Sequence, residues 1–208
     1  MNKAIANVYI WVLVISTILI WALVLTCFGI ELAISGEAIK KLPLVVTIEV
    51  GLLGLFIKWG WKLRVLPSWL IVEPIIEGTW KGVLKSTWVD PITGEIPEDI
   101  PIILSIKQEF FNISCSMFTE ESPSHSYAAR IIIDEASGMK RLIYNYTNKP
   151  KASVRDRSEF HDGTVNLVII GGRQNELAGE YWTTRKTTGE MKLNFHSNEL
   201  VSSFGKAT

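Results

Sequence analysis

Apolar residues form two long runs in the first third of the chain. Ala4–Ile30 contains no charged side chain, and Leu42–Ile57, which follows the link Glu31–Lys41, contains one, Glu49. A helix over the first run would be roughly 40 Å long, which exceeds the hydrocarbon thickness of a bilayer, about 30 Å. The pattern therefore predicts two transmembrane helices that form a helical hairpin over residues 1–72.

After Glu73 the pattern changes to short segments in which apolar and polar residues alternate, the period of a half-buried strand. Eight strands are predicted, near Thr79–Trp88, Pro101–Gln108, Asn112–Thr119, His125–Asp134, Met139–Tyr146, Thr164–Ile170, Glu176–Arg185 and Glu190–Phe195. One apolar face per strand and mostly short links predict an all-β domain over residues 75–208, a small lipocalin-like up-and-down β-barrel. The link at Gln108–Phe111 lacks turn residues, which leaves open whether the second and third strands are separate.

In an up-and-down barrel the odd-numbered strands end where the even-numbered strands begin, and we call this end the mouth. Polar and aromatic residues from several strands and links are predicted to meet there. They are Thr119, Ser122, Ser124, Tyr146, His161 and Arg185. The chain enters the first strand at the opposite end, which we call the base. A barrel of eight strands can hold one small ligand.

The inward faces carry the chemistry of a nucleotide site. Tyr144, Tyr146, Tyr181 and Trp80 could stack on planar rings, and Thr183 adds a hydroxyl group. An inward Arg185 requires an anion or a carboxylate partner. Two interpretations stay open. The aromatic side chains can bind bases or fill the core, and Arg185 can bind phosphate or pair with a loop carboxylate such as Glu121 or Asp162.

Charge and motifs exclude several classes of function. The chain has 21 basic and 21 acidic residues, and the part after Glu73 has 15 and 17, so a basic face for a nucleic-acid polymer is not expected. Cys27 lies in a predicted span and Cys115 in a predicted strand, which predicts no disulfide. The three histidines lack metal-ligand spacing and no catalytic motif is present. The sequence therefore favours a binding protein without metal or cofactor over an enzyme.

Glu49 and the basic residues set expectations for the membrane part. More basic residues lie on one side of the hairpin (Lys3, Lys58, Lys62 and Arg64) than on the other (Lys40 and Lys41), which favours both termini and the barrel in the cytoplasm.

A carboxyl group at the depth of Glu49 is costly when it faces lipid. It is either hydrogen-bonded to a neighbouring helix or a pore-lining or assembly-switch residue. Both interpretations are expected to need more than one hairpin.

An ordered set of short motifs follows the two predicted spans. They are the stretch Gly78–Gly82, Ile106–Gln108, Thr119–Ser124, Leu142–Tyr146 with Asn148 and Pro150, His161–Thr164, and Leu177–Arg185 with Thr188-Gly189. This set resembles the CD-NTase-associated membrane β-barrel effectors of bacterial CBASS antiphage defence, along essentially the whole chain.

The resemblance implies a mechanism. A partner CD-NTase would make a cyclic oligonucleotide, with a cyclic dinucleotide as the activating ligand. The barrel would bind it, the transmembrane helices would assemble into a homo-oligomer, and the lipid bilayer of the inner membrane would be disrupted, leading to abortive infection. The resemblance also implies receptor residues. They are the Thr119–Ser124 segment, Tyr146, His161, Tyr181, Thr183 and Arg185.

Two other functions remain open from the sequence. The apolar residues of the inward faces suit a membrane-anchored lipocalin-like carrier or sensor of an apolar ligand, although an inward Arg185 and a hydroxyl-rich mouth oppose it. The barrel can also be a filled structural subunit with an interaction surface.

Overall fold

The computed structural model describes residues 3–63, 66, 70–71, 73–90, 94–96, 98–156, 158–171 and 176–206. The chain divides into two compact units, Met1–Val72 and Glu73–Thr208. The helices are α1 (Lys3–Cys27), α2 (Gly36–Ile39) and α3 (Leu42–Lys58), with short 3-10 turns at Gly60–Lys62, Ala152–Val154 and Phe204–Lys206. The strands are β1 (Gly78–Ser86), β2 (Ile100–Gln108), β3 (Ile113–Phe118), β4 (Pro123–Ile133), β5 (Lys140–Asn148), β6 (His161–Ile170), β7 (Glu176–Thr183) and β8 (Thr188–Ser197).

The helical unit contains one helix that suits a membrane by both length and composition. Within the described residues, the stretch Asn7–Cys27 of α1 is long enough and apolar enough to cross a bilayer, with a mean hydropathy of 2.6. The helix α3 has 17 residues and is about 26 Å long, which is shorter than a typical hydrocarbon core. The second span stays a prediction, and Arg64, used for the predicted orientation, lies outside the described residues.

Glu49 on α3 faces the hydroxyl groups of α1. Ser16 donates a hydrogen bond to Glu49 Oε1 at 2.8 Å, and Thr17 Oγ1 lies 2.8 Å from Oε1 and 2.6 Å from Oε2. The expectation that hydrogen bonds to Glu49 need more than one hairpin is therefore wrong, and the pore-lining or assembly-switch interpretation stays a prediction. The two helices of one chain supply these hydrogen bonds, because Ser16 and Thr17 lie near the middle of α1 as Glu49 lies near the middle of α3.

The second unit is a closed antiparallel barrel, which confirms the predicted fold class. The strands pair in chain order, and β8 returns to pair with β1, so that Leu84 lies opposite Met191. β2 and β3 are separate strands, since the amide of Glu109 donates to the carbonyl of Asn112 across a tight turn at 2.7 Å. Closure leaves no strand at the edge of the sheet.

The alternating pattern fills the inside of the barrel with large apolar side chains. Fully buried residues come from most of the strands, among them Trp80, Leu104, Ile106, Leu142, Tyr144, Leu167, Leu177, Met191 and Leu193. Each strand contributes every second residue, because successive side chains point to opposite faces of the sheet. The core therefore lies in the middle and at the base of the barrel.

The base is closed by the segment that leads into β1. The buried side chain of Gln108 donates from Nε2 to the carbonyl of Pro74 at 3.0 Å. Its Oε1 accepts from the backbone amide of Ile76 at 2.9 Å. The indole of Trp80 donates to the carbonyl of Ile76 at 3.0 Å and packs edge-on against Phe195. These contacts fix the point at which the chain enters the barrel.

Candidate functional site

A cavity of about 450 Å³ opens at the mouth of the barrel. This volume falls in the usual range of small-molecule sites, about 300–1,000 Å³. Its walls come from the mouth ends of several strands and from the loops that join them. Eight of the nine predicted site residues line it, namely Thr119, Ser122, Ser124, Tyr146, His161, Tyr181, Thr183 and Arg185.

Arg185 supplies a positive charge at the cavity wall. β7 ends at Thr183, so Arg185 lies in the turn before β8 and not in the strand as predicted. Its Nη1 is 3.4 Å from the hydroxyl of Ser158, and its buried Nε has no hydrogen-bond partner in the part of the chain that the structure describes. Among the described residues no carboxylate lies within ion-pair distance, and neither Glu121 nor Asp162 pairs with it. A half-buried guanidinium in this state is suited to binding an anion.

His161 is the first residue of β6 and has a defined tautomer. Its Nδ1 lies 2.8 Å from the carbonyl oxygen of Glu159, and since a carbonyl can only accept, Nδ1 carries the proton. Burial lowers the pKa of His161, and the nearby Arg185 charge lowers it further. The imidazole is therefore neutral near pH 7, and its Nε2 is available to accept a hydrogen bond.

Two tyrosines line the cavity, and each lies opposite a glycine. Tyr146 pairs with Gly163 across β5 and β6, and Tyr181 pairs with Gly189 across β7 and β8. A Cβ atom on either glycine would come within 2.5 Å of the tyrosine ring. The glycines thus leave the space in which the two rings lie. Burial raises the pKa of both phenols, so both remain protonated donors at neutral pH.

Several hydroxyl groups of the cavity form hydrogen-bonded pairs with other side chains. Tyr181 donates to Ser86 at 2.8 Å, the hydroxyls of Thr183 and Thr187 are 2.6 Å apart, and Ser124 donates to the Asn148 side chain at 2.7 Å. These bonds orient polar groups along the wall before any ligand binds.

Thr119 and Ser122 form the turn between β3 and β4. The Thr119 hydroxyl accepts from the amides of Glu121 at 3.2 Å and Ser122 at 2.9 Å. The Thr119 amide donates to the Ser122 carbonyl at 3.0 Å. Thr119 therefore shapes this loop, and its hydroxyl is already engaged.

Tyr144 differs from the other predicted site residues. It lies two residues further along β5 from the mouth than Tyr146, about 6.6 Å deeper, and does not line the cavity. Its side chain is 1% exposed and its buried hydroxyl has no hydrogen-bond partner in the described part of the chain. Trp80, also considered for stacking, is fully buried at the base. Both are core residues.

The cavity also has walls that the sequence reasoning missed. They include Ser86, Trp88, Asn148, Ser158 and Phe204. Trp88 follows the mouth end of the first strand, so the strand-order argument was sufficient to find it. Phe204 lies beyond β8, where no alternation signals its position. Among the described residues no group of three or more His, Cys, Asp or Glu side chains is placed to hold a metal ion.

The barrel matches the family model "Cap15, cyclic dinucleotide receptor domain" over residues 72–194, which is more than half of the chain. The chain belongs to this Cap15 family. A curated protein of Staphylococcus schleiferi named CD-NTase-associated protein 15 is 29% identical over 136 residues. That alignment covers 65% of this chain and 66% of the relative, just under two thirds of its length.

The family match and the cavity concern the same part of the molecule. The matched region begins just before the segment that closes the base and ends within β8. Each of the eight predicted residues that line the cavity falls inside it. The part of this chain that matches the Cap15 receptor domain is thus the barrel with the mouth cavity described above.

Proposed function

We propose that this chain is a CBASS membrane effector whose barrel binds a cyclic dinucleotide made by a partner CD-NTase. The observation that supports it best is the mouth cavity, which combines two tyrosine rings, several hydroxyls and an Arg185 guanidinium that has no carboxylate partner among the described residues. A cyclic dinucleotide presents planar bases and two phosphodiesters, which match these groups in kind. The match to a cyclic dinucleotide receptor model over the same residues supports the same ligand class.

The proposed roles follow from the position of each side chain. Arg185 carries the positive charge for a phosphodiester, and the neutral His161 accepts a hydrogen bond from a base or a ribose hydroxyl. Tyr146, Tyr181 and Trp88 offer faces or edges for the bases. Ser124 and Thr183 provide hydroxyls, while Thr119 and Ser122 hold the adjoining loop.

We further propose that ligand binding drives the chain to oligomerise and to disrupt the bacterial inner membrane. In this proposal α1 and α3 both cross the membrane, and both termini and the barrel are cytoplasmic. The hydrogen bonds of Glu49 to Ser16 and Thr17 hold the helices together in the resting chain. During assembly the same hydroxyl and carboxyl groups become available to neighbouring copies. Ligand can shift this equilibrium only by binding the assembled state more tightly.

The experiment uses the full chain in liposomes with a panel of cyclic di- and trinucleotides. Binding, particle mass and dye leakage are measured together. Wild type is expected to bind one nucleotide, to assemble and to leak, and Arg185→Ala is expected to lose all three. Lys186→Ala is the matched control, because it removes a neighbouring charge that does not line the cavity.

Two results would contradict the proposal. A folded wild-type chain that binds no member of the panel but binds a labelled fatty acid would favour the lipocalin-like alternative. Leakage that occurs without nucleotide and is unchanged in Arg185→Ala would show that membrane disruption does not depend on the cavity.

Glu49 is tested in the same assay. Glu49→Leu is expected to keep nucleotide binding and to change assembly and leakage, and the double variant Ser16→Ala/Thr17→Ala is expected to change them in the same direction. If Glu49→Leu assembles and leaks as wild type does, Glu49 has no part in the switch.

A further inference from the structure

The loops at the mouth divide into an acidic half and a basic half. In chain order they are the first loop (residues 87–99), the second (119–122), the third (149–160) and the fourth (184–187). The first has four acidic residues and the second two, with no basic residue in either. The third has four basic and two acidic residues, and the fourth has two basic residues and no acidic one. Because the strands follow in order around a closed barrel, the described residues of the first loop (87–90, 94–96 and 98–99) lie across the mouth from those of the third (149–156 and 158–160).

The first and third loops also expose apolar side chains. Ile96 of the first loop is 61% exposed, and Phe160 of the third is 53% exposed, with the Arg155 guanidinium 4.9 Å from its ring centre. Exposed charges flank them, namely Glu95 and Glu98 on the first loop and Lys149 and Lys151 on the third. An apolar centre with charged surroundings is the usual composition of a protein interface. Each loop thus has an exposed apolar residue flanked by charged residues, and the flanking charges of the two loops are opposite in sign.

We propose that the acidic first loop of one copy docks on the basic third loop of the next copy, in a head-to-tail array. The partner is a second copy of this chain, because each copy carries both complementary surfaces on opposite sides of one mouth. This proposal rests on the proposed function, whose oligomer it describes.

The charge division also selects the symmetry of the array. A two-fold axis along the barrel would bring the same loop of two copies together, acidic on acidic or basic on basic, which is unfavourable. A head-to-tail contact pairs opposite charges instead, and such contacts build rings or open rows. This arrangement requires every copy to present its mouth in the same direction.

The docking loops share residues with the cavity wall. Asp99 of the first loop and Pro150, Val154 and Ser158 of the third line the cavity, and Ser158 contacts Arg185. A ligand that contacts these residues orders the loops that carry the docking surfaces. Nucleotide binding and head-to-tail contact therefore stabilise the same loop conformations.

The test mixes two charge-reversed versions of the full chain in detergent. Glu95→Lys/Glu98→Lys removes the net negative charge of the first loop and makes the charges that flank Ile96 basic, like those of the third loop. Lys149→Glu/Lys151→Glu makes the third loop net acidic, like the first. None of these four residues lines the cavity. Glu180→Lys/Glu190→Lys, on two exposed positions paired across the outer face of β7 and β8, is the control with the same change in charge as Glu95→Lys/Glu98→Lys. Particle mass is measured with cyclic di-AMP, cyclic di-GMP and cyclic AMP–GMP, and binding of each nucleotide is measured separately by calorimetry.

Each reversed variant alone is expected to need at least about tenfold more protein to assemble, because the reversed charges then face charges of the same sign in every contact. An equimolar mixture is expected to recover assembly to within about twofold of wild type, since unlike loops meet in every contact of an alternating row. The control assembles as wild type does, and all three variants keep nucleotide binding. Variants that assemble alone as wild type does, or a mixture of folded variants that stays dispersed, would overturn the docking proposal.

Failure of the proposed function gives a different result. A wild-type chain that binds none of the three nucleotides contradicts that function, and the mixing assay is then run without nucleotide at high protein concentration. Recovery in the mixture supports the docking surfaces on its own, and equal behaviour of single variants and mixture refutes them.

Discussion

Replacing Arg185 with alanine is expected to lower nucleotide affinity without lowering the stability of the barrel. The guanidinium is half-buried, makes a long contact to the Ser158 hydroxyl at 3.4 Å and has a buried Nε without a partner among the described residues. Its removal is therefore expected to relieve an uncompensated charge in the free protein. In the proposed complex the same change would remove the charge-assisted hydrogen bonds to a phosphodiester.

The two effects have different magnitudes and signs. Hydrogen bonds to charged groups contribute about 1.5–3 kcal/mol, which corresponds to a loss of about 10- to 150-fold in affinity. The free energy of unfolding of the unliganded barrel is expected to stay constant or to rise by about 1 kcal/mol or less, because relief of the unpaired charge is partly offset by lost packing of the side-chain stem.

Calorimetric titration and chemical denaturation of the same samples measure both quantities. Arg185→Lys keeps the charge but not the forked donor geometry, and it is expected to fall between wild type and alanine in affinity. Lys186→Ala serves as the control. A large loss of stability in Arg185→Ala with unchanged affinity would refute the reasoning, since Arg185 would then be a structural residue.

Three further predictions concern other parts of the barrel. Gln108→Ala leaves the buried backbone amide of Ile76 and the carbonyl of Pro74 unpaired. It is expected to lower the free energy of unfolding by about 2–4 kcal/mol. Thermal melting measures this loss, with Gln108→Glu as the comparison variant. Gly163→Ala places a Cβ 2.5 Å from the Tyr146 ring and 2.9 Å from the Trp182 carbonyl. We expect the free energy of unfolding to fall by about 1–3 kcal/mol, measured by melting, and nucleotide binding to weaken, measured by titration. Unchanged values would show that the Tyr146 ring moves freely. Burial lowers the pKa of His161, so Nε2 stays an acceptor at neutral pH. Nucleotide binding is therefore expected to weaken once the pH falls below that lowered pKa and Nε2 is protonated, whereas His161→Gln gives a flat profile over the same range. An equally flat wild-type profile would show that Nε2 accepts no hydrogen bond from the ligand.

The sequence was sufficient for the barrel because alternation reports directly which face of a strand is buried. Strand order then placed Thr119, Tyr146 and Arg185 at one end without knowledge of any contact. Depth along the strand was harder to obtain. Tyr144 and Tyr146 have the same parity, and only the position of the cavity floor separates a core residue from a wall residue.

The partners of Glu49 illustrate a second limit. Helical periodicity identifies faces, but the match between Glu49 and the hydroxyls of Ser16 and Thr17 depends on how two helices align in depth. Phe204 shows a third limit, because it reaches the cavity from a segment after the last strand, where no periodic pattern exists.

The closed base bears on how long a signal lasts. Trp80, Ile76 and Gln108 pack into that end of the barrel, so under the proposed function a messenger molecule would reach the cavity from the mouth. While it is bound, its phosphodiester bonds are withdrawn from any hydrolase that clears the free pool. The duration of the response would then depend on the dissociation half-life as well as on the rate at which the cell destroys the free messenger. If the proposed docking of a neighbouring copy holds the mouth loops in place, that half-life is expected to lengthen, and the response would continue after synthesis of the messenger has stopped.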